Sequence, residues 1–261
     1  YRRQRQMCIR DRIRIEEDFV MREQLTMDRI YGNEIASLTE PHLACALLLD
    51  TSGSMQGAPI RSLNESIQKF KATIMADPIA RKRVEIAIIT FDSKVTVVND
   101  FCPIDKMPTP NLDAYGFTEM GQGILKAVEM VKNRTNLYQS AGTPCHKPWI
   151  FMITDGENNS GSCGDMEAAI AKVREEESKG SNGHLSFWAL GVGDYNPTEM
   201  FKLTNRVIEL KDCDFEGIFD WLSESMSAIS QSQVGEHIQF TELPENARKT
   251  KEDRAIGDDW N

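Results

Sequence analysis

Three short stretches of the chain carry oxygen-bearing side chains in a pattern suited to a hard cation. Asp50-Thr51-Ser52-Gly53-Ser54 offers one carboxylate and two hydroxyls, with a glycine between them that lets the backbone turn tightly. Gly116-Phe117-Thr118 adds a hydroxyl in a second glycine-bearing loop, and Asp155-Gly156 adds another carboxylate. Mg2+ prefers octahedral oxygen coordination and keeps waters readily, so a donor set with only two anionic members leaves positions for water or for an incoming ligand. The expected metal ligands are Asp50, Ser52, Ser54, Thr118 and Asp155, with Mg2+ as the cation and Mn2+ or Ca2+ as alternatives.

Each piece alone has a plainer reading. Asp-x-Ser-x-Ser is also a turn with helix-capping hydroxyls, an Asp-Gly after a strand is often only a turn, and Thr118 alone reads as a helix cap. Their positions join them. In an open parallel sheet the ligand site lies outside the carboxyl ends of the strands, near the point where strand order reverses. All three stretches sit next to elements that such a sheet would bring there.

Those elements follow from the hydrophobic pattern. Leu43 to Leu49 is continuously apolar, as expected of a central strand covered on both faces. Pro59 opens a helix whose Ile60, Leu63, Ile67, Phe70 and Ile74 share one stripe. Val84 to Phe91 and Val95 to Val98 are joined by Asp92-Ser93-Lys94, which is too short for a crossover and predicts an antiparallel hairpin at the sheet edge. A Pro-rich loop follows, then a helix marked by Ile124, Ala127, Val128 and Val131, a buried strand from Trp149 to Ile153, and a helix carrying Met166, Ala169, Ile170 and Val173. His184 to Leu190 is a further strand, Asn196-Pro197 with Glu199 caps a short helix, Val207 to Leu210 is an edge strand, and Ile218, Leu222, Met226 and Ile229 line a closing helix. The expected fold class is α/β: a doubly wound, mainly parallel sheet with one antiparallel edge strand and helices on both faces. Residues 41–232 form the domain, residues 1–40 an N-terminal extension, and residues 233–261 a polar, loosely ordered tail. Within the extension, Tyr1 to Arg12 is Arg-rich without apolar periodicity and resembles translated sequencing-adapter sequence or a basic tail.

Other chemistries suit these residues less well. Phosphatases of the haloacid-dehalogenase type place a second Asp two residues after the first, where this chain has Ser52, which cannot protonate a leaving group at neutral pH. Aspartic proteases use Asp-Thr-Gly-Ser twice on an all-β fold, which does not suit alternating helices. Gly191-x-Gly193 lacks the third glycine of a dinucleotide loop. Cys145, His146 and Cys163 lack the tight four-ligand spacing of structural zinc. The histidines His42, His146, His184 and His237 have no Ser or Cys partner at a recognised spacing and read as surface or strand residues. No catalytic residue is expected.

A net charge of −10 argues against affinity for nucleic acid or anionic lipid through phosphate neutralisation. No apolar run is long enough to insert in a membrane and the cysteines form no C-x-x-C pair, so the expectation is a cytoplasmic protein with reduced thiols.

Leu47-Leu-Leu-Asp50-Thr-Ser-Gly-Ser-Met55, Gly116-Phe-Thr118 with Gly121 beyond it, and Ile153-Thr-Asp155-Gly156 resemble the von Willebrand factor A (vWA) family over roughly residues 40–232. The resemblance implies a metal-ion-dependent adhesion site (MIDAS). In it Ser52, Ser54 and Thr118 would contact the cation through hydroxyls, and Asp50 and Asp155 directly or through water. It also implies a non-enzymatic binding module whose site is completed by an acidic residue of a protein partner. Within the family, Ala87 to Asp92 and Ala189 to Gly193 are most similar to short bacterial tellurium-resistance-associated (TerY-like) proteins, thought to be cytoplasmic scaffolds in stress responses. The chain departs from longer members, which carry a Cys-rich C-terminal zinc module, because residues 232–261 contain no cysteine. A vWA subunit serving an AAA+ ATPase would share every one of these motifs.

Overall fold

The computed structural model describes residues 35, 37–156, 163–179, 185–193, 195–236 and 238–250. The Arg-rich start, the centre of the loop after Gly156, His184, His237 and the last residues of the tail lie outside the described residues.

Seven strands form one sheet in the order β3-β2-β1-β4-β5-β6-β7. They are β1 (Leu43–Asp50), β2 (Val84–Phe91), β3 (Val95–Pro103), β4 (Trp149–Thr154), β5 (Ser186–Val192), β6 (Val207–Leu210) and β7 (Ala247–Lys249). The five from β1 to β6 other than β3 run parallel, and β3 is the expected antiparallel edge strand. The helices are α1 (Ala58–Ala76), α2 (Ala80–Arg83), α3 (Met120–Ala141), α4 (Cys163–Ser178), α5 (Pro197–Leu203) and α6 (Glu216–Gln231).

Alternation along β1 shows why the sheet must be covered twice. Leu43, Cys45, Leu47 and Leu49 belong to one core with residues of α1 and α6, whereas Ala44, Ala46 and Leu48 belong to a second core with residues of α3, α4 and α5. Each fully buried leucine contributes roughly 2–3 kcal/mol, so a strand apolar on both faces cannot occupy an edge. The capping signal read at Asn196 is formed, its side chain accepting from the N–H groups of Thr198 and Glu199. Gly191 is explained by packing, since a Cβ there would lie 2.1 Å from the Tyr195 ring.

Two expectations need correction. The described part of the polar stretch after Ser232, as far as Thr250, does not leave the domain. Phe240 stacks edge-on against Trp149 at 5.4 Å in a cluster with Trp188 and Trp221, and the Trp221 indole N–H donates to the Thr241 carbonyl at 2.9 Å. Beyond it β7 pairs antiparallel with β6, so β6 is an inner strand and a second antiparallel pair closes that side of the sheet. Few apolar residues are needed when they dock on an existing aromatic surface and the backbone is satisfied by a waiting strand. Of the surface or strand placement expected for the histidines, the surface half does not hold for the two described ones, whereas His42 does sit in a parallel bridge to Cys145 just before β1. His42 is fully buried and contacts the Ser37 carbonyl at 2.6 Å, and burial together with the nearby Arg83 charge pushes His146 down to about 4, which keeps it neutral.

Candidate metal centre

The chain builds β1, β2 and β3 to one side and then returns to place β4 on the other side of β1. The crevice beyond the carboxyl ends of β1 and β4 is therefore the switch point where open α/β sheets hold ligands. Leu49 is paired with Ile153, so the next residues along, Asp50 and Thr154, leave the sheet side by side.

Four of the expected site residues are linked there. Ser54 Oγ donates to Asp155 Oδ1 at 2.7 Å across 101 residues of sequence, and the Ser52 and Ser54 hydroxyl oxygens are 3.1 Å apart. Asp50 is fully buried; one carboxylate oxygen accepts from the Ser52 N–H at 2.8 Å and the other from the Thr154 hydroxyl at 2.6 Å. Thr118 is buried, and its loop is sewn to the Asp50–Ser54 turn by backbone bonds from Tyr115 N to the Thr51 carbonyl at 2.9 Å and from Gly53 N to the Gly116 carbonyl at 3.1 Å.

Burial dominates the electrostatics of both carboxyls. Burial pushes the Asp50 carboxyl up to about 6, with the neighbouring Asp155 charge adding to the rise and the hydrogen bonds from Ser52 and Thr154 opposing it. Burial also raises Asp155, against the bond from Ser54. Two carboxyls held where their ionised forms are penalised, beside converging hydroxyl oxygens, fit a divalent cation. Among the described residues no group of three or more His, Cys, Asp or Glu could hold a metal.

Three residues outside the expected set complete the frame. Thr154, inside the Thr-Asp-Gly motif, orients Asp50. Asp92, a buried carboxylate at the end of β2, accepts from the Thr51 hydroxyl at 3.3 Å. Ser93 accepts the Phe117 N–H at 2.9 Å and fixes the Thr118 loop. A carboxylate and a hydroxyl at the end of a third parallel strand were the available signal for the last two.

Gly116 has φ +85° and an added Cβ would fall 2.4 Å from Ser93 Oγ. Gly116→Ala is therefore expected to cost about 1–2 kcal/mol in urea unfolding, because moving Ser93 breaks its bond to Phe117 and the backbone remains strained.

A family model described as the von Willebrand factor type A domain matches residues 45–212. No curated protein was found to match. Among solved structures, a von Willebrand factor type A protein from Catenulispora acidiphila is 18% identical with a TM-score of 0.54, the alignment covering 72% of this chain and 43% of that one. The pilus adhesin SpaC from Lactobacillus rhamnosus GG is 14% identical with a TM-score of 0.57, covering 72% of this chain and 30% of that one. The vWF domain of the pilus tip protein Mfa5 from Porphyromonas gingivalis is 14% identical with a TM-score of 0.53, covering 78% of this chain and 100% of that one. The chain thus spans less than half the length of the first two.

Proposed function

The chain belongs to the von Willebrand factor type A family, and from that premise we propose that it is a non-enzymatic, cation-dependent protein-binding module. Domains of this family mediate protein–protein interactions. The observation that carries the reading is the junction of Asp50, Ser52, Ser54 and Asp155 at the switch point, with the Thr118 loop bonded to it.

Ser52, Ser54, Thr118 and Asp155 would hold the cation, with Asp50 behind them. Both Asp50 oxygens already accept hydrogen bonds, which supports its acting through water. Ser52, Ser54 and Asp155 bring hydroxyl and carboxylate oxygens within hydrogen-bond distance of one another, an all-oxygen donor set of the type that Mg2+, Mn2+ and Ca2+ take. A bound cation would supply a positive centre to which a partner's Asp or Glu coordinates. With two carboxylates in the donor set, one of them set back, and Asp92 held behind Thr51, that centre would keep charge on which a single acidic residue of the partner could anchor.

The similarity of Ala87–Asp92 and Ala189–Gly193 to tellurium-resistance-associated proteins supports a scaffold role in a bacterial stress response in the cytoplasm. Among the described residues no helix is long and apolar enough to cross a membrane.

Thr118→Ala removes one hydroxyl donor and leaves both carboxylates. Calorimetric titration with Mg2+ and Mn2+ should show an affinity loss of about tenfold or more, with stability in EDTA changed by less than about 1 kcal/mol. Equal metal affinity in the variant would remove Thr118 from the site. Equal affinity for an isolated partner with Mg2+, with EDTA and with Thr118→Ala would overturn the cation-dependent function.

A further inference from the structure

The loop that carries Thr118 also presents two aromatic side chains to solvent. Tyr115 is 57% exposed and Phe117 is 66% exposed, while the other exposed large apolar side chains among the described residues, Ile79, Val97 and Val234, stand far from them in sequence. A pair of solvated aromatic rings contributes no burial to the fold, and exposed apolar patches mark contact surfaces. They are also held in place. The Tyr115 N–H donates to the Thr51 carbonyl at 2.9 Å, the Gly116 carbonyl accepts from the Gly53 N–H at 3.1 Å, and the Phe117 N–H donates to Ser93 Oγ at 2.9 Å. A segment bonded on both sides loses little further freedom when a ligand covers it.

We propose that Tyr115 and Phe117 form an apolar rim that selects partners in which the anchoring acidic residue has a large apolar neighbour. The inference rests on the reading of the adjacent site as a cation-dependent receptor for a carboxylate. Phe117 is next to Thr118 in the chain, and an extended peptide advances about 3.3–3.6 Å per residue. A side chain one or two positions from a carboxylate anchored at the Thr118 site therefore reaches the rim. Charge narrows the class further. With a net charge of −10, and with Asp113 and Glu119 on the same loop, a run of acidic residues would be repelled everywhere except at the cation. One Asp or Glu beside an aromatic or large aliphatic residue satisfies both features.

The test is selection of random heptapeptides displayed on phage, bound in Mn2+ and eluted with EDTA. It uses the full chain, the Tyr115→Ser/Phe117→Ser double variant and Thr118→Ala. The melting-temperature response to Mn2+ serves as a check that the double variant keeps its fold and its site. The unmodified protein should enrich an acidic residue with Phe, Tyr, Trp, Leu, Ile or Met within two positions. A synthetic peptide from that pool should bind the double variant about tenfold more weakly, the effect of losing one buried apolar contact. An acidic pool without apolar preference would overturn the proposal, as would an apolar preference that survives EDTA or the double substitution. Failure to recover any EDTA-eluted peptide from a protein that does respond to Mn2+ overturns this inference alone. Absence of a Mn2+ response overturns the cation reading together with it.

Discussion

Replacing Glu85 with Gln is expected to destabilise the domain by about 3–5 kcal/mol, without changing its affinity for Mg2+. Glu85 is the second residue of β2 and is fully buried. Its Oε2 accepts from Arg134 Nε at 2.7 Å, is paired with an Arg134 terminal nitrogen at 2.5 Å and accepts a short bond from the Tyr138 hydroxyl. His42 Nδ1 lies 3.3 Å from the other oxygen. Burial alone would raise this carboxyl, but His42, Arg134 and Tyr138 together hold it below the usual glutamate value. The amide removes the negative charge and leaves the buried Arg134 guanidinium without its counter-ion. Because the folded-state pKa is lowered, the carboxylate's contribution is present above its unfolded pKa and is lost as the pH falls. The difference between wild type and variant should therefore shrink in acid. Glu85 is near the start of β2 and Asp92 just past its end, about 20 Å apart at strand spacing, so the metal titration should be untouched. Urea unfolding at neutral and acidic pH measures the first part. A cost below about 1 kcal/mol would mean that the network is not needed for stability.

The second large effect is at Asp50, where the change should act in opposite directions with and without metal. Asp50→Asn is expected to abolish the stabilisation by Mg2+, about 2.7 kcal/mol at a hundredfold excess over Kd, and to stabilise the metal-free protein above pH 6. The folded-state carboxyl sits at about 6 against an ordinary 3.8, with burial the main cause. A raised acid binds its proton more tightly in the folded state, so its contribution is fully present below about pH 4 and lost as the pH rises through about 6. That loss amounts to about 3 kcal/mol. The amide has no charge to desolvate. Its oxygen can still accept from the Ser52 N–H, and the Thr154 hydroxyl can turn to accept from the amide N–H and donate to the Gly156 carbonyl 3.4 Å away. Thermal melts in EDTA and in Mg2+ across this pH range give both readouts. If Asn is less stable than Asp in EDTA at pH 7, the buried charge is not the penalty described here.

The fold was legible in the sequence wherever burial is recorded in composition. Leu43 to Leu49 has no polar residue, which only a strand covered on both faces tolerates, and the three-residue Asp92–Lys94 link forces the antiparallel edge. The site was legible because its donors are clustered in short stretches next to those strands. What stayed hidden depends on partners distant in sequence. A Glu at position 85 reads as a solvated strand residue until Arg134, 49 residues on, is folded against it. Ala247-Arg248-Lys249 has no strand pattern of its own and becomes one by pairing with β6. Thr154 was in view within Ile153-Thr-Asp-Gly156, but its bond to Asp50 depends on the β1–β4 register.

Diffraction from crystals of the full chain grown with Mn2+ and collected at a wavelength where manganese scatters anomalously tests the central claim most directly. The account predicts one strong anomalous peak within bonding distance of Ser52 Oγ, Ser54 Oγ and Thr118 Oγ1, with Asp155 and Asp50 beside it. At saturating Mn2+, a bare crevice at the ends of β1 and β4, or a peak bound only to other residues, would contradict it.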